Sequence, residues 1–389
     1  MSESSVVVAD SRSWRRINSR LIAGLVALAF VIWPVYVLPP GYPQPVTLIF
    51  LLAFLGLFAR DSAATIGLFR GQELSLITAF LGYALVVNLV VSIANQDFVP
   101  LRHPLFYLQV VIGCAAFQYV LRTEPLAPRI IYAAVLGALM LQFVALMLTA
   151  TTAGTRQTLM YANPNQLGFF ALLALSYLLL LHQRGAGSAA SLVPGAAIAL
   201  FLVLLSLSKA AIFSAFVLFA LYGLFAPIRG PRLRRLRPLL MAVVPGLLIG
   251  LAIAYRDEVQ IFSAVADRME NIGEQSDDSM AGRGYGRILL WPQYLIFGAG
   301  EGLLGRWESP REIHSMIGTL LFSYGLPGTF LVLSLFAIVY RRNRRDFIIY
   351  MTPILVYSLT HHPMRQTMMW TLLLLIVHQP STRIRSGIG

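Results

Sequence analysis

Apolar residues in this chain gather into long runs separated by short polar breaks, at roughly 21–38, 46–59, 74–95, 104–121, 130–150, 166–181, 189–207, 210–227, 239–255, 315–340, 347–360 and 366–378. A helix needs about 17–25 residues to cross the hydrocarbon core of a bilayer, and most of these runs are long enough. The pattern therefore predicts an all-α, polytopic membrane protein with about twelve transmembrane helices. The second, eleventh and twelfth runs are short and are expected to tilt little, to extend into their flanks, or to form a re-entrant pair. The first run follows Arg12, Arg15, Arg16 and Arg20, as in a signal peptide, but it is too long for one and lacks a small-x-small cleavage site, so it is expected to be retained as a first helix.

Composition agrees: 57% of residues are hydrophobic and 12% charged, against roughly 25% charged residues in soluble domains. Basic residues exceed acidic ones by thirteen, an excess that would suggest nucleic acid were it not sorted by side. Counting the breaks alternately, one side carries twenty basic and six acidic residues and the other carries ten and eleven. The positive-inside rule then places both termini in the cytoplasm and leaves no call for a nucleic-acid partner. Three regions result: 1–255 with nine helices, a large external loop at 256–314, and 315–389 with three helices and a cytoplasmic tail. No internal repeat is visible. The lone Cys114 sits within an apolar run, which excludes an intrachain disulfide or a cysteine metal cluster.

Within the loop, Phe262, Val265, Met269 and Ile272 recur at helical spacing and predict an amphipathic helix. The mostly apolar segment Arg287–Phe297, interrupted by Pro292, is expected to lie at the membrane surface or to dip into it.

The candidate chemistry lies on the external side, where topology does not require basic residues. Arg102, Arg156, Lys209, Arg256, Arg268, Arg283, Arg287, Arg306, Arg311 and Arg365 gather there with His103, His314, His361 and His362. Several guanidinium groups around one cavity would suit a diphosphate lipid, whereas any one of them would equally serve a lipid headgroup or a nearby acid. Lys209, the only lysine, stands where two apolar runs meet, and its charge must face a polar cavity or snorkel to the interface. His314 closes the large loop at a position suited to general-base work on a hydroxyl. Arg287 and Trp291 share a helical face and either line a pocket or anchor the segment. Gly298-Ala299-Gly300-Glu301-Gly302 superficially resembles a dinucleotide loop, but no strand precedes it, so a flexible turn is expected. Asp277-Asp278 has no third ligand and reads as a solvated acidic turn. His361 and His362 are adjacent and so poorly disposed for metal, but His362 and Arg365 are placed to help bind an anion. The Asn163-Pro164-Asn165-Gln166 turn either caps the next helix, the preferred reading, or offers amides to a sugar.

These residues resemble the O-antigen ligase and polymerase superfamily, membrane glycosyltransferases that use undecaprenyl-diphosphate-linked glycans. The resemblance spans roughly residues 156–328. It rests on Asn163-Pro164-Asn165, Ser208-Lys209-Ala210-Ala211 where the family often has Ser-Arg-Gly, Gly286-Arg287-x-x-x-Trp291, Phe297-Gly298-x-Gly300, and His314 followed by Tyr324-Gly325-Leu326-Pro327-Gly328. Lys209 stands where arginine is usual, which loses the two-pronged grip, and Ser315 where asparagine is frequent. The resemblance implies a GT-C-like fold in the bacterial inner membrane, with the active site facing the periplasm. It also implies metal-independent, inverting transfer of a glycan from undecaprenyl diphosphate to lipid A–core, without a cofactor. In that reading His314, Arg287 and Lys209 are catalytic, while Arg283, Arg156, Arg365, His362, Asn165 and Trp291 bind substrate. The chain ends soon after its last helix, which favours the ligase, with the O-antigen polymerase as the alternative. A lipid or solute transporter is the competing class, and it would need polar groups along a through-path.

Overall fold

The computed structural model describes residues 19–39, 42–149, 156–227, 285–302, 304–307 and 312–378. The ninth apolar run at 239–255, the amphipathic segment from Phe262 to Ile272, the Asp277-Asp278 pair and Arg283 lie outside the described residues. Helices dominate, and no strand occurs among the described residues. In chain order they are α1 (Ser19–Val31), α2 (Pro45–Arg60), α3 (Ser62–Leu68), α4 (Gln72–Asn95), α5 (Arg102–Thr123), α6 (Ala127–Leu148), α7 (Pro164–Gln183), α8 (Ala189–Leu205) and α9 (Lys209–Phe225). After the large loop come α10 (Gly286–Leu290), α11 (Tyr294–Phe297), α12 (Met316–Gly318), α13 (Gly325–Arg342), α14 (Arg344–Ser358) and α15 (Thr367–Val377).

Four of these are long and apolar enough to cross a membrane by length and composition: α4, α5 with the turn that precedes it (Val99–Thr123), α6 and α7. Helices that are apolar all round belong inside a bundle. Accordingly α7 and α15 are buried on nearly every face, and α5 is buried over most of its length. The outer helices α4 and α6 instead turn apolar side chains outward, among them Val86, Val90, Ile93, Val144 and Met147. An exposed apolar belt of this kind is what a lipid-facing surface requires.

The tenth apolar run is not one helix. It starts as α12, widens into a π-helical turn at Thr319–Ser323, and restarts as α13 at Gly325. Gly325 has φ +60, and a Cβ there would collide with the backbone of Ile296, Phe297 and Gly298. The break lets the segment after α11 lie directly against this chain reversal.

Polar contacts between the helix termini gather in two groups. At one end Arg184 donates to the carbonyls of Leu375 and His378 at 2.6 and 2.7 Å and to Asp346 at 3.0 Å, capping the last turn of α15. Arg342 joins the same end to Glu73 and to Gln72. At the other, the loop end, Tyr285 donates to the Leu359 carbonyl, Met316 N–H to the His361 carbonyl, and Tyr357 to the Asn165 carbonyl.

Candidate functional site

The site is built around a glycine-spaced strip at the loop end. Gly298, Gly300 and Gly302 have φ of +94, +72 and +84, a left-handed region that side chains disfavour. The strip is held on both sides: Ala299 N–H donates to the Phe322 carbonyl at 2.8 Å, Gly300 N–H to the Ser323 carbonyl at 2.9 Å, and Glu301 N–H to Asn88 Oδ1 at 2.9 Å. The flexible turn expected from sequence is thus a pinned one. The glycines serve close backbone approach, and the acid between them is carried into the bundle.

Glu301 is 4% exposed. Its Oε1 accepts from Tyr107 at 2.5 Å and from Tyr324 at 2.7 Å, while Oε2 accepts from Arg365. His103 Nδ1 stands 3.2 Å from Oε2, and His362 Nε2 lies 3.8 Å from Oε1. Arg365 also reaches Glu312 at 3.4 Å. An unpaired buried carboxylate would take up a proton. Here burial pushes Glu301 upward, but the Arg365 guanidinium holds it well below the usual carboxylate range. Glu312 is likewise lowered against its burial, chiefly by Arg365. Burial opposes the charge on Arg365, yet Glu301 and Glu312 raise its pKa overall. Burial drives His362 down to about 4 against the pull of Glu301, so its imidazole is neutral near pH 7.

His103, His362, Arg365 and Glu312 of this network form one wall of a cavity of about 330 Å³ between the loop after α1 and the loop-end turns of α2, α5, α7 and α15, within the range of small-molecule sites. His103, His362 and Arg365 line it together with the exposed Arg102 and with Gln109, Gln166 and Trp33. Arg365 and Glu312 also line a second, much smaller hollow, and Arg287 lies on that hollow's wall. Arg287 is 6% exposed and is stacked 5.6 Å from the ring centroid of Trp307. Burial and the neighbouring Arg306 both lower its pKa. Arg306 lies 4.4 Å over Trp307 from its own side and donates to the Ala299 carbonyl.

The residues singled out in the sequence divide into groups. Arg365, His362 and Arg287 converge on the two adjoining hollows. Trp291 is the C-cap residue of α10, its N–H donating to the Arg287 carbonyl at 2.9 Å, and both side chains meet Trp307, with the two indoles 4.9 Å apart. Asn163 caps α7 by accepting from Asn165 N–H at 2.7 Å, and Arg156 donates to Asn165 Oδ1 at 2.9 Å. Lys209 is half-buried as the first residue of α9, after Leu207 with φ +47 and the cap residue Ser208. His314 is exposed, two residues before the Met316 N–H that bonds His361, and is not among the residues of either hollow. Arg283 lies outside the described residues. His361 stacks on Tyr357 at 4.4 Å while His362 faces Glu301, so the adjacent imidazoles diverge.

Sequence reasoning missed Glu301, Tyr107, Tyr324 and Asn88. Glu301 did carry a signal: an acid set between glycines in an otherwise apolar stretch is costly unless its partners come from elsewhere. The chain matches no protein-family model and has no significant match among curated proteins.

Proposed function

We propose that the protein is a multi-pass glycosyltransferase of the bacterial inner membrane, with both termini in the cytoplasm and the loop end facing the periplasm. As an O-antigen ligase, it transfers a glycan from undecaprenyl diphosphate to a sugar hydroxyl of lipid A–core. The observation that carries this reading is the polar, cation-bearing cavity at the loop end, joined through Arg365 and Glu312 to the hollow that holds Arg287. The acceptor oxygen attacks the anomeric carbon opposite the departing group, so the configuration inverts. The bond from that carbon to the diphosphate oxygen breaks, and the diphosphate leaves with the electron pair. Charge grows on the leaving phosphate as the bond lengthens, and fixed cations in a water-poor hollow stabilise it more than water does. Arg287 and Lys209 take this part, with Arg365, Arg156 and Arg283 as auxiliaries. His314 accepts or orients the acceptor proton. Its exposure suits an acceptor that arrives on a separate lipid from outside the donor's cavity. The donor bond is already activated, so the reaction requires neither a nucleotide nor a metal.

The O-antigen polymerase uses the same donor and differs in its acceptor. Purified protein incubated with undecaprenyl-diphosphate-linked glycan, with and without lipid A–core, separates the readings. Transfer that requires lipid A–core supports the ligase, and lengthening of the lipid-linked glycan in its absence supports the polymerase. Uptake of a labelled solute into sealed vesicles without covalent transfer contradicts both.

A further inference from the structure

We propose that the cavity between the loop after α1 and helices α2, α5, α7 and α15 is a saccharide subsite that holds the donor sugar ring nearest the diphosphate. This rests on the glycan-transfer reading for what the sugar is attached to, but the recognition chemistry is argued from the cavity itself. If the diphosphate sits at the seam marked by Arg365 and Glu312, the larger hollow beside it takes either the prenyl chain or the first sugar. Its wall decides between them. Thr47, Gln109, Gln166, Gln366 and Thr367 line it with Arg102 and the buried charge network. A prenyl chain would strip water from all these groups and return no hydrogen bond. A sugar ring offers hydroxyls that donate and accept, which amide and hydroxyl side chains can match. Trp33 and Tyr36 add aromatic surface to the same wall, and such rings pack on the C–H faces of a pyranose while leaving its hydroxyls to the amides.

On the same wall, Thr47 Oγ1, Gln166 Oε1 and Thr367 Oγ1 are buried without a hydrogen-bond partner among the described residues, which leaves each side chain a bond to make with a polar ligand once it turns toward the cavity. Native proteins pair nearly all such atoms. Gln44, on the same wall, has a different task. Its amide accepts from Val37 and Leu38 N–H and donates to the Leu38 and Tyr42 carbonyls, which fixes the loop after α1 as one side of the cavity.

The test compares binding of undecaprenyl-diphosphate-linked glycan with binding of bare undecaprenyl diphosphate to the full-length protein, for wild type, Gln166→Leu and Gln109→Leu. Each variant is first checked for an unchanged melting transition, and having two guards against the misfolding of one. Wild type is expected to hold the glycan-linked lipid about tenfold more tightly than the bare one. Either leucine variant is expected to remove most of that preference while leaving affinity for the bare lipid intact. Equal affinity of wild type for the two lipids, or a parallel loss for both in the variants, overturns the subsite. A preserved preference with neither transfer to lipid A–core nor lengthening of the lipid-linked glycan leaves the subsite standing and overturns the transferase reading. Transfer by a wild type that lacks the preference does the reverse.

Discussion

Arg365 and Glu301, 64 residues apart in sequence, form a buried ion pair at the loop end, and the rest of the site is arranged around it. The pair is brought together by two unrelated devices. Arg365 ends the short 3-10 turn Pro363–Arg365 between α14 and α15, while Glu301 is turned inward by the positive-φ glycines on either side of it. The two tyrosines occupy Oε1, which leaves Oε2 to the guanidinium and keeps Arg365 at the junction of the two hollows.

Removing the Glu301 carboxylate leaves Arg365 with Glu312 as its remaining counter-charge and strips the buried Tyr107 and Tyr324 hydroxyls of their acceptor, and a buried donor left unsatisfied costs about 1–3 kcal/mol. Glu301→Ala is therefore expected to lower stability by about that amount. Glu301→Gln, which keeps a hydrogen-bond acceptor for the tyrosines, is expected to cost less. Thermal unfolding of the detergent-purified variants measures both, and equal stability of Glu301→Ala and wild type would contradict the assignment.

His362 gives the protein a defined acid sensitivity. Its imidazole takes up a proton near the ordinary histidine value of 6.5 when unfolded but only at about 4 when folded. The unfolded chain therefore binds more protons between those values, and stability falls as pH drops across that window. The loss expected from this group is on the order of 3 kcal/mol. Melting temperatures of wild type and His362→Gln, followed from pH 7 to pH 4, should diverge, with the variant showing the shallower decline.

Gly298 marks the closest approach of the strip to the chain reversal before α13. A Cβ at this position would run into the carbonyl of Ser323 while φ stays at +94. Gly298→Ala is expected to cost about 2 kcal/mol or more through strain and overpacking, and to loosen Glu301 with it. The melting transition and the rate of glycan transfer should fall together. An unchanged pair of values would mean that the strip does not position the carboxylate.

Much of the architecture was legible because lipid imposes simple patterns. Run lengths gave the helices α4 to α9, and the helix cap at Asn163 followed from its position before a proline and an apolar run. The broken tenth run was not legible, since its apolar residues continue through Ser323 and Tyr324 without a polar gap, and only packing against residues 296–298 reveals the break. Part of the site was visible as isolated cations, Arg287 and Arg365 among them. Glu301 was hidden because its meaning depends on Tyr107, Tyr324, His103 and Arg365. Contacts across such sequence distances are set by tertiary packing and leave no local spacing to read.

In the proposed reaction a guanidinium stabilises the departing diphosphate while an imidazole readies the acceptor. The decisive quantity is the initial rate of glycan transfer from undecaprenyl diphosphate to lipid A–core by purified Arg287→Ala and His314→Ala, with each variant matched to wild type for folded protein. Both rates are predicted to fall by about a hundredfold or more. Rates within about twofold of wild type for both variants, a difference under roughly half a kcal/mol in the barrier, would contradict it.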